Sequence, residues 1–128
     1  MKKLFTLISL LIFLAPASIM AQSEEQIFVV VDKMPEFKGG TAAFNNFIRT
    51  NLKYPEEALK NKIEGVVIAS FIVEKDGSVS NPTIISKIGY GCDTEVIRLI
   101  NSMPKWIPGT KDGKAVRVKL STPFEFKL

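Results

Sequence analysis

The sequence predicts a small α+β domain in which helices pack on one face of an antiparallel sheet. Three patterns support this class: a final strand that alternates apolar and polar residues from Val116 to Leu128, a hairpin signal at Asp76 and Gly77, and an apolar helical stripe between them. Because the helix joins two strands, it must cross one face of the sheet. The full prediction is a three-stranded antiparallel sheet, two main helices on one face and a short extra N-terminal strand.

The first half of the predicted domain contains one short strand and two helices. Residues 27–31 read IFVVV, and such a β-branched run favours a strand. Thr41 can cap the first helix. The apolar residues of that helix recur at helical spacing: Phe44, Phe47, Ile48 and Leu52. Pro55 suits the first position of a second, shorter helix.

The second half contains three strands and one helix. We name the predicted strands A (66–73), B (79–88) and C (115–127). Asp93 can cap the helix between B and C, and Pro104 ends it. Residues 110–114, TKDGK, read as a polar loop before C. Since B and C are joined through a helix they should run parallel, and inserting A between them gives the order B-A-C. Strand C is then left at an edge.

The N-terminus has the layout of a secretory signal peptide over residues 1–21. Two lysines precede an uncharged apolar run, Leu4 to Ala15, and the small residue Ala21 is the expected cleavage position. The alternative is an uncleaved membrane anchor, which needs roughly 20 apolar residues. Cleavage would leave a short disordered tail, 22–26, and a folded domain over 27–128.

The composition argues against several functional classes. The formal charge is only +4 and the basic residues are scattered, so nucleic-acid binding has little support. The chain has no histidine and one cysteine, Cys92, so neither an internal disulfide nor a Cys–His nucleophile can form. There is no Cys-x-x-Cys pair, carboxylate cluster or phosphate-binding loop. We therefore expect no enzyme, no metal and no cofactor.

Several short motifs follow one another in a distinctive order and spacing. They are MPEFKGG (34–40), YPEEA (54–58), GVV (65–67), FIVEKDGSV (71–79), Asp93, and MPKWIPG (103–109). Together they resemble the TonB C-terminal domain family, in the version common in Bacteroidetes-type bacteria. The similarity extends over about residues 28–128, nearly the whole predicted domain.

The resemblance implies a task. TonB proteins bind the TonB box, a short peptide near the N-terminus of outer-membrane TonB-dependent receptors, and link those receptors to energised transport. In the family the peptide adds as a strand beside the last strand of the sheet. The implied location is the periplasm, or the inner membrane facing the periplasm if residues 1–21 are an anchor. Inner-membrane motor proteins would be partners in the anchored case.

Two segments are candidates for peptide binding. The first is the edge of strand C, where backbone groups can pair with an extended peptide: Arg117, Val118, Lys119, Leu120, Ser121 and Thr122. The second is a segment that the resemblance places near the bound peptide: Asn51, Leu52, Lys53 and Tyr54. The charged side chains of the first segment can equally be ordinary solvated positions, and Tyr54 can equally be a structural residue. Pro123 lacks an N–H and should weaken strand addition.

A second function class stays open, that of a stand-alone interaction domain without energy transduction. A full transducer has a long linker, whereas about half a dozen residues separate the expected cleavage position from the first strand, and an extended chain gives at most about 3.5 Å per residue. Strand A also has apolar residues on both faces, with Val66, Ile68 and Ile72 on the second. Such a face can form a homodimer or join another exported complex, or the strand over residues 27–31 or the N-terminal loop can cover it.

Overall fold

The computed structural model describes residues 25–128, so the predicted signal peptide and the first part of the predicted tail lie outside the described residues. The elements are β1 (Ile27–Phe28), α1 (Gly40–Asn51), α2 (Glu56–Lys60), β2 (Gly65–Val73), β3 (Val79–Ser86), α3 (Cys92–Asn101), β4 (Gly109–Lys111) and β5 (Lys114–Phe126). The predicted α+β class is confirmed. Within residues 25–128, no helix is long and apolar enough to cross a membrane.

The sheet is mixed and has five strands. Its path is β1-β5-β2-β3, and β4 also pairs with β5. β2 lies antiparallel to both neighbours, whereas β1 runs parallel to β5. The predicted sheet of three antiparallel strands was therefore wrong in two respects: it left out β4, and it treated the N-terminal strand as an extra element when that strand, β1, joins the sheet in parallel. The two added strands have only two and three residues, too few to show an alternating pattern in the sequence.

β4 forms a tight hairpin with β5, where a polar loop was predicted. Asp112 and Gly113 have φ values of 53° and 76°, the left-handed pair that a two-residue type I′ turn requires. Asp112 also donates its N–H to Asp32 Oδ2 at 2.8 Å. The residues before this turn, Gly109–Lys111, are too few and too polar to suggest a strand in the sequence.

The predicted strand over residues 27–31 is cut to two residues. After Phe28 the chain bends, because the N–H groups of Asp32 and Lys33 both donate to the Thr110 carbonyl at 3.1 Å. These bonds direct the chain towards β4 and away from β5. Tertiary hydrogen bonds therefore override the β propensity of this segment.

The core lies between β2, β5 and α3. Its fully buried side chains come from alternate positions of the two strands and from one helix face: Val67, Ala69, Phe71, Val73, Val96, Leu99, Ile100, Val118, Phe124 and Phe126. At one end Trp106 packs against Phe37, Phe44 and Phe71 with ring centroids 5.3–5.5 Å apart. The domain is thus held by apolar packing, with its one thiol, Cys92, also buried.

Neither predicted capping residue occupies the N-cap. Gly39 and Gly91, both left-handed, precede α1 and α3. The Asp93 carboxylate, in the first turn of α3, instead accepts the N–H groups of Ile88 and Gly89 at 2.9 and 2.8 Å. It therefore anchors the loop before the helix and not the helix end.

The carboxylate of Glu95 holds the segment between α1 and α2 against α3. It accepts the Lys53 N–H at 2.7 Å and two N–H groups of Arg98 at 2.6 and 2.7 Å. Arg98 also donates to the Asn51 carbonyl at 2.8 Å. Burial alone would raise the pKa of Glu95, but the hydrogen bonds from Arg98 and Lys53 lower it overall. This network fixes where the chain leaves α1.

We expect Gly77→Ala to be strongly destabilising. Gly77 has a φ of 90°, and a Cβ at this position would lie 2.1 Å from the Trp106 carbonyl oxygen. The free energy of unfolding should fall by at least about 3 kcal/mol, since the strained φ and the displaced backbone add. Gly113→Ala is the control, because its φ is 76° in open space, and should lose about 1 kcal/mol. Urea unfolding measures both, and equal losses would contradict the close approach.

We expect Glu95→Gln to lower the free energy of unfolding by about 2 kcal/mol at pH 7, because a charged acceptor of three hydrogen bonds is lost. The folded-state pKa of Glu95 lies below its ordinary value of 4.5. The stabilisation is therefore complete above that ordinary value and is lost as the pH falls through the lower folded value.

Urea unfolding of wild type and Glu95→Gln from pH 7 to pH 3 measures this difference. It should shrink in acid. Glu56→Gln, at an exposed position of α2, is the matched control and should stay within about 0.5 kcal/mol of wild type. A difference that does not change with pH would show that the Glu95 charge is unimportant.

Candidate peptide-binding site

One edge of β5 is only partly covered. On the side away from β2, β1 pairs with Arg117 and Val118. Within the described part of the chain, no strand or bridge pairs with β5 beyond Val118 on that side. We name this stretch, Lys119–Phe126 on the side away from β2, the open edge. It can accept a further strand.

The hydrogen-bonding direction along β5 follows from the neighbouring hairpin. Glu74, directly after β2, donates its N–H to the Ser78 carbonyl at 2.8 Å. The backbone N–H and C=O groups of even-numbered residues in β2 therefore point towards β3, and those of odd-numbered residues point towards β5. The β2–β5 register is unbroken, with Val73 opposite Val118. The backbone groups that point outward from β5 therefore belong to odd-numbered residues: Lys119, Ser121, Pro123 and Glu125.

Pro123 occupies one of these outward positions, opposite Ile68 of β2. A proline there removes no hydrogen bond from the β2–β5 ladder, because its missing N–H would have faced the open edge. Pro123 thus interrupts the outward donors without interrupting the sheet. Its carbonyl remains available as an acceptor.

A groove of about 560 Å³ lies between the C-terminal half of α1 and the far end of the open edge. The less exposed side chains that line it are apolar or aromatic: Ile48, Leu52, Tyr54, Phe124 and Phe126. The exposed residues around it are mainly polar: Asn45, Arg49, Pro123, Glu125 and Lys127. An apolar side chain beside the open edge could therefore be buried here.

Tyr54 contributes its ring to the groove, and its hydroxyl is used inside the domain. The ring packs edge-on against Phe126 at a centroid distance of 5.5 Å. The hydroxyl donates a hydrogen bond to the Ile63 carbonyl. Burial, with smaller effects of Glu64 and Cys92, raises the pKa of Tyr54. The Tyr54 hydroxyl therefore has a structural role, whereas the side chain as a whole lines the groove.

The structure divides the candidate residues of the last strand. Lys119–Thr122 lie on the open edge. Arg117 and Val118 do not, because β1 pairs with them, and including them in a free edge was wrong. Arg117 also binds Glu74, from Nε to Oε1 at 2.7 Å, and donates from Nη1 to the Glu25 carbonyl at 3.0 Å. The hydrogen bond from Arg117 is the main cause of the lowered pKa of Glu74.

The four candidate residues before α2 also divide. Leu52 and Tyr54 line the groove, whereas Asn51 and Lys53 do not. The backbone groups of Asn51 and Lys53 bind the side chains of Arg98 and Glu95 instead. This segment alternates between groove and α3, as an extended chain does.

The sequence reading missed the part that α1 plays. Its apolar stripe was noted only as a helical pattern, and no residue of α1 is fully buried. Ile48 and its neighbour Arg49 line the groove on one side, and Glu125 and Lys127 on the other. The stripe itself was visible in the sequence; only the packing of α1 shows that it is incompletely covered.

The site offers backbone hydrogen bonds along an edge and an apolar groove beside it. Across residues 25–128, no group of three His, Cys, Asp or Glu side chains could hold a metal ion. Burial raises the pKa of the Cys92 thiol, at the start of α3. The arrangement suits the recognition of an extended peptide.

Comparisons with known proteins bear on the identity of the domain. The family model for the Gram-negative bacterial TonB protein C-terminal matches residues 50–128. Among solved structures, the chain is similar to the NMR solution structure of the Helicobacter pylori TonB C-terminal domain. The two are 21% identical over 67% of this chain and 90% of that one, with a TM-score of 0.45. No curated protein matches the chain.

The family match spans more than half of the chain and includes Tyr54, α3 and every strand except β1. It confirms the resemblance that the motifs indicated. The chain belongs to the TonB C-terminal family.

Proposed function

We propose that this domain binds the TonB boxes of outer-membrane TonB-dependent receptors by strand addition to the open edge, and that this binding is linked to energised transport. One observation carries the proposal: an unpaired strand edge lies directly beside an apolar groove. Family membership supports the choice of partner. The domain acts by binding and has no catalytic role.

The backbone of the open edge provides the first part of the recognition. Outward N–H and C=O groups at Ser121 and Glu125, and the Pro123 carbonyl between them, can pair with an extended peptide. Each such hydrogen bond contributes about 1 kcal/mol net. Main-chain pairing alone is insensitive to sequence, so the groove must supply the selectivity.

The groove provides the second part. In a strand added to the open edge, every second side chain points to the face on which α1 lies. Burying one Val, Leu or Ile side chain against Leu52, Tyr54 and their neighbours would contribute about 1.5–3 kcal/mol. The domain therefore favours peptides with an apolar residue at the groove position.

The proposal places the domain in the periplasm. Residues 1–21 serve as a secretory signal peptide or as an inner-membrane anchor that faces the same compartment. In the anchored form, inner-membrane motor proteins are further partners. In the cleaved form, the domain binds receptor peptides without transmitting force by itself.

A second candidate function, a homodimer or a fixed complex, is favoured by one feature of the sheet. On the face opposite the helices, Val66, Ile68 and Ile85 are 43%, 36% and 56% exposed. Ile72, on the same face, is buried and does not belong to the patch. Exposed apolar side chains that lie close together can mark a partner surface.

We expect synthetic N-terminal peptides of outer-membrane receptors from the same bacterium to shift the backbone amide NMR signals of Ser121 and Glu125. These N–H groups point outward and would become hydrogen-bonded to the peptide. The signals of Val67 and Leu99, buried in the core, should not move. Titration of the isotope-labelled protein with each peptide measures this. Unchanged signals at Ser121 and Glu125 with every receptor peptide would contradict the proposal.

Two variants at one position separate backbone from side-chain recognition. Ser121→Pro removes an outward N–H while sparing the β2–β5 ladder, as Pro123 already does, and should weaken peptide binding about fivefold. Ser121→Ala keeps the N–H and should bind like wild type. Calorimetric titration gives both affinities. An equal loss in the two variants would assign the effect to the side chain.

The homodimer is tested by measuring the molecular mass of the protein in solution over a wide concentration range. If the apolar patch forms an interface, a dimer should appear and Ile85→Lys should abolish it, because a lysine there would be buried without a partner. The control is Lys87→Glu, a charge change just beyond β3. A monomer at every concentration would eliminate the dimer.

A further inference from the structure

We propose that β1 is a fixed end stop on the peptide-binding edge. It excludes a partner strand from Arg117 and Val118 and thereby sets the register in which the strand binds beyond them. β1 is in this sense a specificity-determining element for the site. The inference rests on the proposed function, since it concerns the strand that the open edge accepts.

β1 and the open edge lie end to end on the same side of β5. Ile27 is opposite Arg117 and Phe28 is opposite Val118, and the open edge begins at the next residue, Lys119. A partner strand that extended over Val118 would need the positions that β1 holds. Only one strand can pair with a given side of β5, so the two exclude each other.

β1 is fastened from its N-terminal side by charged groups. Arg117 donates from Nη1 to the Glu25 carbonyl at 3.0 Å, and Lys75 Nζ lies 2.8 Å from Glu25 Oε1. Arg117 is itself oriented by Glu74. An exposed ion pair such as Glu25–Lys75 contributes little alone. Glu25 is held twice, however: by this ion pair and by the hydrogen bond that half-buried Arg117 donates to its carbonyl.

β1 is fastened on its C-terminal side by the bend that shortens it. Asp32 and Lys33 are hydrogen-bonded to Thr110, which prevents the chain from continuing along β5. Val29 and Val30 are consequently 64% and 78% exposed. The stop therefore stays two residues long and leaves Lys119–Phe126 open.

The position of the stop limits the bound strand. The stretch from Lys119 to Glu125 allows a partner of about seven residues, about 23 Å at 3.3 Å per residue. A partner parallel to β5 would meet Val29 with its N-terminal end, and an antiparallel one with its C-terminal end. Residues added at that end would gain no backbone pairs.

The test compares two proline variants in the full protein as the cell processes it. Phe28→Pro removes the backbone N–H through which Phe28 faces β5 and should free the edge at Arg117 and Val118. Val30→Pro is the matched control, because Val30 is exposed and pairs with no strand. Thermal unfolding and the amide spectrum establish that both variants keep the core.

The probe is the tightest-binding receptor peptide of the preceding titration, made with seven residues and with nine. The nine-residue forms carry Thr-Val added at either end. In wild type and Val30→Pro, each should bind within twofold of the seven-residue form. In Phe28→Pro, one nine-residue form should bind about fivefold tighter, with shifted amide signals at Arg117 and Val118, because two further positions can pair.

Tighter binding of a nine-residue form to wild type, with those signals shifted, would overturn the end stop while leaving the proposed function intact. No gain in the folded Phe28→Pro variant would overturn it as well. If no receptor peptide binds to any of the three proteins, the proposed function fails, and the end stop with it.

Discussion

Nine consecutive residue pairs join β2 to β5, from Gly65 opposite Phe126 to Val73 opposite Val118, and the other features of the domain depend on them. Their register sends alternate side chains into the core and the others to the opposite face. It also decides which backbone groups of β5 point away from β2. A slip of one residue would bury Glu125 in place of Phe124. It would also direct the backbone of Pro123, which has no N–H, towards β2.

The candidate site results from unequal strand lengths. β5 has 13 residues, β2 pairs with one side of it, and β1 covers only two positions of the other. An unpaired edge of this length is an aggregation hazard that proteins commonly limit with charge and proline. On this edge Lys119 and Glu125 supply the charges, and Pro123 is the proline. These residues discourage unselective strand pairing, and a partner whose side chains fit the groove can still pair with the remaining backbone groups.

The groove depends on contacts that lie outside it. Glu95 and Arg98 of α3 hold the backbone at Asn51 and Lys53, which places Leu52 and Tyr54 on the opposite side of the same short segment. The Tyr54 hydroxyl then fixes its ring through the Ile63 carbonyl. A buried carboxylate with three donors thus positions an apolar surface, without itself lining the groove.

The sequence by itself determined the elements with a long enough pattern: the alternating strand β5, the hairpin between β2 and β3, and the helices α1 and α3. It also identified the family, and it named Leu52 and Tyr54, which line the groove, and Lys119–Thr122, which lie on the open edge. Only the tertiary structure decided how much of the edge is open. β1 and β4 are too short for periodicity, and Ile27 pairs with Arg117, which is distant in the chain. The β propensity of residues 27–31 was overridden at Val29 because Asp32 and Lys33 bind Thr110, a contact that exists only once both ends of the domain have come together.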